Sequence, residues 1–188
     1  MQNILVTILC RDHPGIIYQV SRILADCRLH IIEVSQTTLL GEFAGLFSCA
    51  LPEGLSLQDA NQALERELSD SEWVHVVREI TADKPPLISP STHEPYVVTV
   101  RGRDRPGLIP EFAGVMSSFD INIDTLRSIS LPLIQDQAEK KVVMFFELSV
   151  PKSVNQSALR QALDLTADGL DMEISLQHRD IFETIHRL

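Results

Sequence analysis

The stretch CRDHPGI, residues 10–16, is written again as GRDRPGL at residues 102–108. At this offset of 92 positions Val6, Thr7, Arg11, Asp12, Pro14, Gly15, Ile17 and Ile31 meet the identical residues Val98, Thr99, Arg103, Asp104, Pro106, Gly107, Ile109 and Ile123. A period so long is that of a duplicated domain, since solenoid repeats recur every ~20–50 residues. The fold is thereby restricted: whatever one half of the 188-residue chain builds, it builds twice. With 44% apolar residues, each half has enough for a small core of its own.

Between the copies lies TADKPPLISPSTHEP, residues 81–95, with Pro85, Pro86, Pro90 and Pro95. Proline at that density opposes both helix and central strand and predicts an extended, semi-rigid linker. The expected plan is a first domain over residues 1–80, the linker at 81–95, a second domain over 96–178 and a tail at 179–188. The tail sequence RDIFETIHRL has the pattern of a short amphipathic helix.

The periodicity changes in the same order in both copies. ILVTILC and YVVTVRG are short, β-branched and bounded by turn residues, as strands are. Helices follow, with Ile16, Val20, Ile23, Leu24 and Cys27 on one face in the first copy and Leu108, Phe112, Val115, Met116 and Phe119 in the second. Two hairpins come next, LHIIEVSQTTLL with FAGLFSCAL around Gly41-Glu42, and INIDTLRSISL with KVVMFFELSV around a longer polar loop near QDQAEK. A second helix, opened by Ser56 in the first copy and stopped by Gly169 in the second, precedes a last strand, WVHVVREI or DMEISLQ. The predicted class is α+β, two ferredoxin-like βαββαβ sandwiches in tandem. ILVTIL and VVMFF show almost no polar alternation, so the second sheet face or its edges should be covered by the other domain or by another chain. Dimerisation is compatible with that expectation.

A formal charge of −10, from 26 acidic and 16 basic residues, repels phosphate backbones and anionic lipid surfaces. Direct nucleic-acid and membrane partners are therefore not expected. No stretch approaches the roughly 18 apolar residues of a membrane span. Cys10, Cys27 and Cys49 lack CxxC spacing and lie on predicted apolar faces, which reads as reduced thiols in a cytoplasmic protein. The six histidines are scattered, with no HExxH and no Cys-His pair at ligand spacing. GxSxG and phosphate-loop motifs are likewise missing, so neither catalysis, a metal nor a cofactor is expected.

In each copy the repeated turn falls where a strand ends and a helix begins. Asp12 and Asp104 are placed to cap free helix N–H groups, and Gly15 and Gly107 allow an unusual backbone conformation. A purely structural turn explains the spelling. The functional alternative is that a helix start beside a bare glycine offers unpaired N–H donors and a positive dipole end to a small anion such as an amino acid's carboxylate. Its ammonium would need an acceptor, and Asn122 and Asp124 at the start of the next strand, with His30 and Glu33 near the matching place, are candidates. Pro110 suggests that the second of these helices starts slightly late.

The order βαββαβ, with Asp-x-Pro-Gly at the first strand-helix junction and a following INI-like strand, resembles the ACT domain, a module that binds amino acids. The resemblance spans both copies, about residues 3–80 and 95–178. Two such domains without a catalytic domain, with CRDHPGII near the start, are similar to the tandem-ACT regulators that control transcription of the glycine cleavage system. The resemblance implies a cytoplasmic regulator that senses glycine or a related small amino acid and acts by binding a LysR-type transcriptional activator rather than DNA. It implies ligand contacts at Asp12, His13, Pro14, Gly15 and Ile16, and at Asp104, Arg105, Pro106, Gly107 and Leu108, with Asn122 and Asp124 behind, often between two domains. His13 faces Arg105 and Cys10 faces Gly102 in the alignment, so the two sites need not be equivalent.

Other readings share the same element order. An RNA-recognition module needs stacking aromatics on its central strands and a basic surface. Neither ILVTILC nor YVVTVRG carries a central aromatic. An acylphosphatase-type enzyme needs a phosphate loop after the first strand, where Asp12 and Asp104 would repel the substrate. Formyltetrahydrofolate deformylases begin with an ACT domain, but this chain is too short to add their hydrolase domain. A tandem protein-interaction scaffold, or an allosteric regulator of a metabolic enzyme, remains the alternative to a transcriptional role.

Overall fold

The computed structural model describes residues 2–69, 72–80, 88–132 and 140–186. Contacts divide the chain into two units, Met1–Pro85 and Pro86–Leu188. The first contains β1 (Gln2–Arg11), α1 (Ile16–Asp26), β2 (His30–Leu39), β3 (Glu42–Leu51), α2 (Leu57–Glu67) and β4 (Val74–Ile80). The second repeats them as β5 (His93–Arg103), α3 (Leu108–Ser118), β6 (Asn122–Pro132), β7 (Lys140–Pro151), α4 (Gln156–Gly169) and β8 (Met172–His178), then adds α5 (Arg179–His186). The strand orders are β2-β3-β1-β4 and β6-β7-β5-β8, antiparallel at every pairing. The chain is thus an α+β protein of two tandem ferredoxin-like domains.

Register gives the duplication its exact form. α1 and α3 begin 92 residues apart, at Ile16 and Leu108, whereas Asp12 N–H donates to the Gly41 carbonyl and Asp104 N–H to that of Lys140, 99 residues on. The second hairpin therefore carries seven extra residues, and its expected polar loop, 133–139, lies outside the described residues. Both edge strands bulge at equivalent places, between Ile31 and Glu33 and between Ile123 and Thr125. The first hairpin closes on Leu40 and Gly41, both with positive φ (53° and 82°), the backbone demanded by a tight two-residue turn.

Each sheet buries one face under its two helices. In the first unit Ile16, Val20 and Leu24 of α1 and Ala60 and Leu64 of α2 pack onto Ile4, Val6, Ile8, Phe43 and Phe47. In the second, Leu108, Phe112 and Met116 meet Val98, Val100, Met144 and Phe146, with the Phe112 and Phe146 ring centroids 6.5 Å apart. In the second unit part of the outer sheet face is covered by the chain's own C-terminal helix, while Ile129 and Leu131 on that face stay exposed. There α5 packs against β5 and β8, and Val97 and Thr99 are buried. In the first unit the outer-face residues Leu9, Leu46, Val74 and Val76 remain exposed.

Several local expectations change. Residues 81–87 of the expected linker lie outside the described residues, and 93–95 already belong to β5. Pro95 is tolerated because it faces only β7, opposite Ser149, while pairing with β8 begins at Tyr96. Pro110 does not delay α3, which starts in step with α1; a first-turn proline lacks only an N–H that the helix leaves unpaired anyway. Gly169 is the last residue of α4 rather than its stop, and the left-handed residue beyond it is Asp171 (φ 52°).

Ser56 caps α2 as expected. Its hydroxyl accepts from Asp59 N–H at 3.1 Å, and Asp59 Oδ2 accepts from Ser56 N–H at 2.9 Å and from its hydroxyl at 2.7 Å. These donors hold the Asp59 carboxyl below its ordinary value of 3.8. The folded value being the lower, the cap contributes fully above the ordinary value and is lost as pH falls through the folded one. The stability difference between the native chain and Asp59→Asn should hence be constant near neutrality and vanish in acid below that range, as urea titrations at stepped pH would show.

Candidate functional site

The two repeated turns have the same backbone. Gly15 (φ 92°, ψ 2°) and Gly107 (φ 91°, ψ −1°) are left-handed N-caps of α1 and α3, and neither helix start has a side-chain cap. Asp12 and Asp104 therefore do not cap these helices, contrary to expectation. Their backbone N–H groups are drawn instead to the hairpin carbonyls of Gly41 and Lys140, both at 2.8 Å, which directs the chain across the sheet end before the helix begins. Glycine at the cap leaves the first-turn N–H groups without a side-chain acceptor, and both glycines are exposed. Among the described residues, no heavy atom outside the neighbouring residues lies within 4 Å of where a Cβ on either glycine would stand.

Beyond the backbone the corners diverge. In the first unit Asp12, His13, Pro14 and Gly15 are exposed, Ile16 is buried, and Ile16 N–H closes the turn on the His13 carbonyl at 3.2 Å. In the second, Asp104 is half-buried and its Oδ2 accepts from Ser130 Oγ at 2.6 Å. The Arg105 guanidinium donates to the Leu170 carbonyl, tying the corner to the end of α4. A cavity of about 190 Å3 opens here between Asp104, Arg105, Gly107, Leu108, Ser128 and Met144. Pro106 precedes the cap and fixes the approach of the chain. No local sequence pattern marks Ser128, Ser130 or Met144; their place follows from β6–β7 register.

Asn122 and Asp124 do not join this corner. Arg103 stands opposite Lys141 on β7 and Asn122 opposite Ser149, eight residues along the same strand. At about 3.4 Å per residue that is roughly 27 Å, because α3 carries the chain back along the sheet before β6 begins. The first unit has the same separation, with Arg11 opposite Glu42 and His30 opposite Ala50. At its own end of the sheet Asp124 accepts from Asn122 Nδ2 and from Ser149 Oγ, both at 2.7 Å, and its Oδ2 lies 4.0 Å from Arg179 Nη2.

The three cysteines are buried, and their chemistry is correspondingly quiet. Burial pushes the Cys49 thiol up to about 11. Cys10 is raised by burial and by the nearby Glu42 and Asp12 carboxylates, and Cys27 by burial with Glu67 and Asp26. Thiols held protonated are poor nucleophiles and poor metal ligands. Among the described residues no three His, Cys, Asp or Glu side chains gather as a metal site, and no helix is long and apolar enough to cross a membrane.

The family model for the ACT domain matches residues 2–71. A UPF0237 protein from Methanopyrus kandleri is 32% identical over 92 residues, 49% of this chain and 96% of that relative. One from Methanosarcina mazei is 29% identical over 98 residues, 52% of this chain and 99% of the relative. Among solved structures, a protein of unknown function from Galdieria sulphuraria superposes with a TM-score of 0.77 at 20% identity, covering 94% of this chain and 98% of that one. A candidate glycine cleavage system transcriptional repressor superposes with a TM-score of 0.67 at 20% identity, over 94% of this chain and 96% of its own. The last two likenesses establish a shared two-domain fold.

Proposed function

We propose that this chain, which belongs to the ACT-domain family, is a non-catalytic cytoplasmic regulator that senses a small amino acid and acts by binding another protein. The observation that carries the reading is the pair of exposed, glycine-capped helix starts, whose first turns have no side-chain cap. A carboxylate is the natural acceptor there. The second corner adds a half-buried Asp104 for an ammonium group and, at about 190 Å3, suits an amino acid of the size of glycine, alanine or serine. Asn122 and Asp124 would meet the same ligand only from a second domain or a second copy, given their distance from the turn in their own unit. The two sensing domains on this reading occupy residues 1–80 and 96–178.

The proposed output is control of glycine cleavage system transcription through a LysR-type activator. The name borne by one structural neighbour suggests the process. The charge of −10 favours a protein partner over DNA.

Calorimetric titration of the full chain with glycine, L-alanine and L-serine tests the sensing step. Saturable binding is expected, and Gly107→Asn should weaken it at least ~10-fold, or about 1.4 kcal/mol. Asparagine tolerates the left-handed backbone while filling the open side of the corner, so circular dichroism should be unchanged. Absence of binding by all three would overturn sensing and leave an interaction scaffold. Co-purification with a LysR-type activator, with and without the bound amino acid, tests the output.

A further inference from the structure

We infer that the second unit holds a separate binding site for a zwitterionic amino acid with a large apolar side chain, in the cleft between α5 and the outer face of the sheet. The cleft has a volume of about 480 Å3, more than twice that of the corner at Gly107. Its apolar lining is Val97, Ile129 and Phe145 from three strands, with Phe182 of α5 above them. Three charges border this lining: the Arg127 and Arg179 guanidiniums and the Glu147 carboxylate.

Arg179 is only loosely engaged. Its Nη2 lies 3.8 Å from Glu147 Oε2 and 4.0 Å from Asp124 Oδ2, both beyond a direct hydrogen bond, and its buried Nε has no acceptor among the described residues. A buried donor in that condition is stabilised by any carboxylate that reaches it.

The duplication supplies an internal control. The positions equivalent to Val97, Arg127, Ile129, Phe145 and Glu147 in the first sheet are Leu5, Ser35, Thr37, Leu46 and Ser48. The same fold is built there without one charge, so Arg127 and Glu147 are not demanded by the sheet. The two guanidiniums and the Glu147 carboxylate of the cleft lining, with Asp124 a second acid near Arg179, offer partners for the carboxylate and ammonium of an amino acid, and planar guanidinium forks hold carboxylates well. The Phe145 and Phe182 surface selects an apolar side chain. Glycine would leave that surface uncovered.

The test is calorimetry on the full chain with L-leucine, L-phenylalanine, glycine and 4-methyl-2-oxopentanoate. Leucine or phenylalanine should bind, and Arg127→Gln, at an exposed position, should weaken binding at least ~10-fold with the melting curve unchanged. Phe182→Ala should weaken it as well, and the 2-oxo acid, lacking an ammonium, should bind at least ~10-fold more weakly than leucine. Gly107→Asn should have no effect on leucine. No binding of either large amino acid, equal binding by Arg127→Gln, or loss of leucine binding in Gly107→Asn would overturn the proposal. Gly107-dependent glycine binding without leucine binding would overturn this site and leave the sensing corner intact.

Discussion

Replacing Phe112 with alanine should sharply destabilise the second unit and leave the first unchanged. Phe112 is fully buried in α3, against Phe146 of β7 and among Val98, Met116 and Met144. Truncating a buried phenylalanine costs about 3–5 kcal/mol, the lost transfer energy plus the cavity left behind. A whole domain is stable by only ~5–15 kcal/mol, and a unit this small sits at the low end. Trp73 is the chain's only tryptophan and packs on the core of the first unit, so its fluorescence follows that unit while far-ultraviolet circular dichroism follows both. Urea melts of Phe112→Ala should show an early dichroism transition with the fluorescence midpoint unmoved. A joint shift of both signals would mean that the units unfold as one cooperative body.

Gly45→Val strikes the first unit in the opposite sense, by excess rather than loss of volume. A Cβ on Gly45 would stand 2.6 Å from Phe47 Cε2 and 2.8 Å from Phe43 Cζ. Both rings are fully buried beneath α1 and α2, so neither can swing aside without displacing the core. Overpacking of this kind costs ~1–3 kcal/mol. The Trp73 fluorescence midpoint should fall while the part of the dichroism melt belonging to the second unit stays in place. Gly45→Ala, adding only the Cβ, should give a smaller fall of the same sign; stability equal to the parent would show that the rings have room to move. At the equivalent place the second unit has Met144, flanked by Val142 and Phe146 in place of Phe43 and Phe47. The volume is similar and differently distributed, which is how two diverged copies fill one sandwich.

Much of this fold was legible because its signals are local. The stripe Ile16, Val20, Leu24 and its copy Leu108, Phe112, Met116 mark helices by spacing alone, and the Ser56 cap needs only Asp59 three residues on. Other expectations depended on distance along the fold. Asp12 and Asp104 have the right chemistry for caps and stand three residues too early, because the turn spends Pro and a left-handed Gly before the helix begins. Asn122 and Asp124 follow α3 closely in the chain yet lie far from its start. A helix of 11 residues, at about 1.5 Å each, carries them to the other end of the sheet.

The amino-acid sequence by itself determined the duplicated βαββαβ order and the repeated Asp-x-Pro-Gly turn at each first strand-helix junction. Periodicity, turn chemistry and an internal repeat are all written within a few residues or in direct copy. Only the tertiary structure decided what faces those turns. Hairpin register brings Ser128, Ser130 and Met144 to the second corner, and the fold of the C-terminal segment lays Phe182 and Arg179 over one sheet. Such neighbours are set by packing between segments distant in the chain. For that reason two turns spelled almost alike line corners of different chemistry.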